Sequence, residues 1–249
     1  MSPDFNGRRT IVTGGSRGIG AAISRRLAAL GADVLIVYRD DDDSAEKLVA
    51  TIRATGGNAT AVKANLVHAE EIRRLFTESA GDRVDIVVHA AALGSFKPLT
   101  ETRANQWDLT MNVNARAFHL CAVEAARLMP EGGSIVGLSS LGATRVVPEY
   151  GAIGVSKAAL EATTRYLAIE LGARGINVNT VSAAVIDGTS ITRHPHHDDL
   201  RSATIERTPL HRLATADDIA GIVAFLCSPA ACAIQGQVIV ADCGMSLPL

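Results

Sequence analysis

The feature that most constrains the fold is an alternation repeated along the whole chain. Short runs of β-branched and aliphatic residues are each followed by a longer stretch of helical period. "TIVTG" leads into a helix at 18–30, "ADVLIVY" into one near 44–55, "NATAVKAN" into 68–79, and "VDIVVHA" into the long stretch 103–129. "GSIVGLSS" precedes 150–171, "INVNTVS" precedes a loop-rich segment and then 217–226, and "GQVIVADCG" closes the series. The strands are apolar throughout, which suits a parallel sheet covered on both faces. The expected architecture is α/β: one domain over 1–249, a doubly wound parallel sheet with helices on both faces. Ligands in such folds lie beyond the carboxyl ends of the strands, so the residues just after each strand matter most.

A chain of 249 residues, 47% hydrophobic, can bury a core of this kind, and no linker, repeat or composition shift divides it. A net charge of -2 leaves no basic face, which argues against a nucleic-acid partner. No apolar run reaches membrane-spanning length, and "MSPDFNGRRT" lacks the hydrophobic core of a signal peptide, so no membrane is expected. Cys121, Cys227, Cys232 and Cys243 lie scattered without metal-ligand pairing, which reads as reduced thiols in a cytoplasmic protein. "RHPHHDD" gathers His194, His196 and His197, but proline interrupts it and no helical spacing preorganises a zinc site. No metal is expected. A mobile lid over the substrate, about 187–212, is the reading of that segment.

"TGGSRGIG" follows the first strand and opens the first helix. Its glycines allow a tight turn, and the helix N-terminus offers free N–H groups to a phosphate. In this context Gly14, Ser16, Arg17, Gly18, Ile19 and Gly20 read as a dinucleotide site of Rossmann-like type. At the tip of the second strand, "VYRD" places Tyr38 and then Arg39. Arg17 and Arg39 could flank a 2′-phosphate, which favours NADPH over NADH. Asp40–Asp43 would repel that phosphate, but reads better as the solvated, acidic start of the second helix. Asn65 and Leu66 in "ANL" could hold the adenine. After the fourth strand, His89 in "HAAALG" reads as structural, with Ala90 and Ala91 beside the cofactor. Ile186 and Thr189, in "IDGTS" after the sixth strand, complete the set of cofactor contacts.

"TGGSRGIG", "MNVNA", "SIVGLSS", "VSKAALEA" and "GQVIVADCG" together resemble the short-chain dehydrogenase/reductase family over nearly the whole chain. The resemblance implies that Lys157 binds the nicotinamide ribose, that Ser140 borders the substrate oxygen, and that Asn114 supports the lysine through water. It also implies a homotetramer or homodimer built on 103–129 and 150–171. Two positions depart from the family pattern. "HAAA" replaces Asn-Asn-Ala-Gly, and Ile153 stands where the catalytic tyrosine is expected, four residues before Lys157.

Of the three tyrosines, Tyr38 sits at the adenosine end and Tyr166 reads as a packing residue within a helix. Tyr150 remains, seven residues before Lys157. Helical geometry puts Tyr150, Ile153 and Lys157 on one face, with position 150 about 4.5 Å nearer the helix start than position 153. In ketone reduction, hydride reaches the carbon that carries the oxygen. In conjugate reduction of an enoyl thioester it reaches the β-carbon, and charge appears on an oxygen roughly 3 Å or more away. A tyrosine one turn out suits the second reaction. Tyr-x6-Lys, with "WDLTMNVNA" and "SSLGATR", also resembles the NADPH-dependent enoyl-acyl-carrier-protein reductases of the third type. That resemblance implies that Tyr150 stabilises the enolate, Lys157 holds the ribose and Ser140 supports them. The substrate would be an enoyl thioester of acyl carrier protein or coenzyme A, in fatty-acid or polyketide-type biosynthesis. Two alternatives stay open: a carbonyl or imine reductase that uses Tyr150 differently, and a silent NADP-binding interaction protein.

Overall fold

In a computed structural model that describes residues 4–186 and 194–247, every expected strand is present. They are β1 (Arg9–Thr13), β2 (Asp33–Tyr38), β3 (Asn58–Lys63), β4 (Ile86–His89), β5 (Gly133–Ser140), β6 (Ile176–Ala183) and β7 (Val238–Ala241). All pair in parallel in one sheet, in the order β3-β2-β1-β4-β5-β6-β7. The chain winds outward in both directions from the β1–β4 pair. The crevice at this switch point is where a ligand fits.

The helices are α1 (Gly18–Ala29), α2 (Asp42–Ala54), α3 (Ala69–Arg74), α4 (Ala104–Met111), α5 (Ala117–Arg127), α6 (Gly151–Gly172), α7 (His197–Arg207) and α8 (Ala216–Leu226). Successive residues of a strand point to opposite faces, and the sheet shows this division. Val12, Ile36, Val88 and Val136 join one core with α1, α2 and α8. Their neighbours Ile11, Leu35, Val87 and Ile135 join a second core with α3, α5 and α6. Each such side chain contributes about 1.5–3 kcal/mol by leaving water, which explains strands without polar alternation. Among the described residues, no helix is long and apolar enough to cross a membrane.

Three expectations need correction. The stretch 103–129 is not one regular helix: a π turn, Asn112–Arg116, separates α4 from α5. Part of the segment expected to be loop-rich is helical, as α7. Its polar sequence has almost no apolar stripe, but Asp198 and Asp199 in the first turn and Arg207 in the last complement the helix dipole. Residues 187–193, the start of the expected lid, lie outside the described residues. Finally, Tyr166 does not pack in the core. Leu160, Thr164 and Leu167 face inward on α6, which turns Tyr166 and Ile169 out to 73% and 84% exposure.

Candidate active site

A cavity of about 580 Å³ lies at the C-terminal ends of the strands, with Arg39 and Met245 among the residues that border it. Its floor near β1 is the glycine turn. Gly14 has φ 63°, and a Cβ there would come within 2.7 Å of the Ala91 backbone. A Cβ on Gly20 would lie 2.1 Å from the Gly14 carbonyl oxygen. Only glycine lets β1, α1 and the end of β4 approach so closely. Ser16, Arg17, Gly18 and Ile19 line the same wall, as do Tyr38, Asn65, Leu66, Ala90, Ala91 and Ile186. Thr189 lies outside the described residues.

The part of the cavity beside β2 is strongly charged. Asp41 caps α2, accepting from Ser44 N at 3.0 Å and Ser44 Oγ at 2.8 Å, and these bonds hold its carboxyl below the usual range. Asp42 pairs with Lys63 at 3.0 Å and accepts a bond from the Tyr38 hydroxyl, whose pKa is raised in consequence. The acidic run thus serves the helix start, as its sequence implied. Asp41 and Asp40 have a second role: Arg17 pairs with Asp41 at 3.5 Å, and Arg39 pairs with Asp40. Both guanidinium groups border the cavity with these carboxylates beside them.

His89 is fully buried and ties three elements together. Its Nδ1 lies 2.9 Å from Thr13 Oγ1, and its Nε2 lies 3.1 Å from the Val113 carbonyl. A carbonyl can only accept, so Nε2 carries the proton and Nδ1 accepts from Thr13. Thr13 Oγ1 in turn accepts from Ala91 N at 3.3 Å. Burial pushes the imidazole pKa down to about 3, and it stays neutral. The structural reading of His89 holds.

The π turn presents Asn114, which is fully buried and does not border the cavity. Its Oδ1 accepts from Leu93 N at 2.8 Å, while its Nδ2 donates to Leu93 O at 3.0 Å and to Ser156 Oγ at 2.8 Å. These bonds join the loop after β4 to α6 one residue before the lysine. Its side chain thus braces the neighbouring backbone.

Lys157 is buried, and its Nζ donates to the Leu138 carbonyl at 2.7 Å. Burial lowers its pKa to about 8. Tyr150 borders the same part of the cavity, beside Ser140. Burial raises the phenol pKa, so the group remains a proton donor. Tyr150, Ser140 and Lys157 therefore meet at one place. Tyr150 is the N-cap of α6 and lies just outside the regular helix. Ile153 does not share their outlook. It is buried against Gly94, where an added Cβ would lie 2.2 Å from Ile153 Cγ1, and it does not border the cavity.

None of the remaining wall was named from the sequence. Leu93, Phe96, Leu141, Val147, Leu200 and Met245 give the cavity an apolar end beside Tyr150. The strand-end rule points to Leu93 and Phe96. Leu200 and Thr204 come from α7, which carried only its charge pattern as a signal.

The family model described as enoyl-(acyl carrier protein) reductase matches residues 14–246. The chain belongs to the short-chain dehydrogenase/reductase family. It is an oxidoreductase. It is 36% identical to the 1-cyclohexenylcarbonyl-CoA reductase of Streptomyces collinus, over 96% of this chain and 86% of that one. It is 34% identical to a hydroxynaphthalene reductase of Aspergillus fumigatus, over 94% of this chain and 90% of that one. A crystal structure of a short-chain dehydrogenase from Burkholderia cenocepacia in complex with NADP superimposes with a TM-score of 0.87. That protein is 38% identical, with 97% of this chain and 98% of the other covered.

The bonds of His89 give a direct test of its bracing role. His89→Leu removes both, and should lower the unfolding free energy by about 2 kcal/mol or more in a denaturant titration. His89→Asn, which restores the family residue, should lose less.

Proposed function

We propose that the protein uses NADPH to reduce the carbon–carbon double bond of an enoyl thioester. The observation that carries this reading is the placement of Tyr150. Its hydroxyl enters the cavity from the cap of α6 beside Ser140, whereas Ile153 fills the family's usual tyrosine position with an apolar side chain turned to Gly94.

The cofactor fits the residues present. The glycine turn leaves no room for side chains where a pyrophosphate would approach the α1 N-terminus. Arg17 and Arg39 stand at the adenosine end for a 2′-phosphate, exchanging Asp41 and Asp40 for it. The relative from Burkholderia cenocepacia was crystallised with NADP. Lys157 would hold the nicotinamide ribose. Bound NADPH supplies a hydride for the β-carbon of the substrate.

The chain's own groups manage the charge that follows. Tyr150 donates a hydrogen bond to the thioester oxygen as it becomes an enolate oxygen, and Ser140 stands beside that hydroxyl. A proton drawn from solvent reaches the α-carbon as the enolate collapses to the saturated thioester. The Lys157 ammonium, in a low-dielectric site, adds positive potential. The apolar wall of Leu93, Phe96, Leu141 and Val147 holds the acyl group and keeps water away. The Streptomyces collinus relative, by its name, acts on a ring whose double bond is conjugated to a thioester of coenzyme A. Coenzyme A is therefore the carrier we assign. The exposed Tyr166 and Ile169 on α6 support association with further copies of the chain, as a homotetramer or homodimer.

A second reading has its own observation. The hydroxyls of Tyr150 and Ser140, side by side on the cavity wall, would grip a ketone oxygen, and a relative is named hydroxynaphthalene reductase. Following NADPH oxidation with crotonyl and acetoacetyl thioesters side by side separates the two. Enoyl turnover is expected, and acetoacetyl turnover alone would replace the first reading with the second.

Tyr150→Phe should keep NADPH binding and cut enoyl turnover by roughly a hundredfold or more. Full turnover would make Tyr150 a bystander. Ile153→Tyr should crowd Gly94 and lower enoyl reduction rather than create a good ketone reductase.

Lys157 is charged below about pH 8 in the free protein and loses its proton above it. Enoyl kcat/KM should therefore be flat below that pH and fall about tenfold per unit above it. A flat profile up to pH 10 would remove the ammonium from the mechanism.

Arg39→Ala should weaken NADPH by roughly 1.5–3 kcal/mol and leave NADH little changed. Equal losses for the two cofactors would exclude phosphate recognition by Arg39.

A further inference from the structure

A tyrosine within a helix is aimed by the helix itself. Tyr150 is not: it precedes the first turn of α6, with φ -104° and ψ 7°. Its direction is set by the chain that leads into it. That chain includes Glu149, a non-glycine residue at φ 59°. Such a conformation carries strain and persists where surrounding contacts over-determine it.

Those contacts are few and specific. Lys97 N donates to Glu149 O at 2.8 Å, and Tyr150 N closes a turn on Val147 O at 3.2 Å. The third comes from His194, which is 3% exposed and lies just before α7. Its Nε2 lies 2.9 Å from the Pro148 carbonyl, and its Nδ1 accepts from His196 N at 3.1 Å. The two partners fix the tautomer, with the proton on Nε2. The imidazole also meets the Phe96 ring edge-on, with centroids 5.0 Å apart, and Phe96 lies 6.0 Å from the Tyr150 ring. One side chain thus holds the backbone two residues before Tyr150 and the ring that backs it. Through His196 and the start of α7 it is joined to Leu200 and Thr204, which border the cavity.

We propose that His194 is a positioning residue for the reaction, aiming the Tyr150 hydroxyl through the Pro148 carbonyl and the Phe96 ring. This rests on the reading of Tyr150 given above. It also gives the histidine of "RHPHHDD" a role without a metal. Among the described residues, no group of three or more histidine, cysteine or acidic side chains comes together as a metal site would require.

The test is a double-mutant cycle on enoyl reduction, with NADPH affinity and thermal midpoint measured for every variant. His194→Leu should lower kcat by roughly ten- to a hundredfold, the scale of misplacing a catalytic group by about 1 Å. NADPH affinity should not change. His194→Gln, whose amide nitrogen reaches the place of Nε2, should recover most of the rate. His194→Asn reaches only the place of Nδ1 and should not. In the Tyr150→Phe background, His194→Leu should cost nothing further, because the group it aims is gone. Multiplicative losses in the double variant, or a His194→Leu enzyme at full rate while Tyr150→Phe is slow, would overturn the inference alone. A Tyr150→Phe enzyme at full rate would overturn the assignment of Tyr150 and this inference with it. If His194→Leu does not fold, the contrast between His194→Gln and His194→Asn decides the matter: equal rates would sink the proposal.

Discussion

The site is organised around a lysine ammonium taken out of water. Lys157 Nζ has the Leu138 carbonyl as its hydrogen-bond partner, and burial alone lowers its pKa to about 8. A buried cation is costly unless its surroundings are rigid and polar groups are aimed at it. The surrounding bonds supply that rigidity. Ser156, the residue before the lysine, accepts from Asn114, and Ser139, the residue after Leu138, donates to the buried Glu161 one turn along α6 at 2.6 Å. α6 is therefore tied to the π turn just before the lysine and to β5 just beyond it. The same stitching sets Ser140 at the end of β5 opposite Tyr150.

The departure at "HAAA" fits this scheme. An imidazole has two ring nitrogens on opposite edges, and His89 uses both, one toward the glycine turn and one toward the π turn that carries Asn114. The π turn matters because it redirects backbone within what would otherwise be a continuous helix. The cofactor end and the lysine end are thus braced against each other by one neutral side chain. Full burial pushes its pKa down to about 3 and keeps it neutral near pH 7.

How much of this was legible follows from what fixes each element. The inner strands β1, β2 and β4 were readable because both faces are buried. The edge strands β3 and β7 are partly exposed and were read from their place in the alternation. The glycine turn was readable because steric crowding at Gly14 and Gly20 leaves one residue type possible. α7 was not readable. Its residues are mostly polar, and its place comes from tertiary contacts that periodicity does not encode. Tyr166 was misjudged for a related reason. An aromatic residue in an apolar helix looks like core, and only the rotation of α6 on the sheet decides which stripe faces inward. Tyr150 was found from its spacing to Lys157, but helical spacing alone could not show that it stands at the cap. Nor could it show that Ile153 turns away to Gly94.

That last pair of facts separates two chemistries that one scaffold can support. A donor inside the helix, four residues before the lysine, stands beside the carbon that receives hydride, and the oxygen it serves must be attached to that carbon. A donor at the cap stands further along the cavity, toward Ser140 and the apolar wall of Phe96 and Val147. An oxygen held there belongs to an atom two bonds removed from the reacting carbon. The apolar Ile153 offers no competing donor near the reacting carbon itself. A conjugated thioester meets both conditions at once, because its electrons carry the charge from the attacked carbon to the distant oxygen. A simple ketone meets only one of them. On the role proposed for Tyr150, displacing a single hydroxyl by about one helical turn directs the same scaffold toward the carbon–carbon bond.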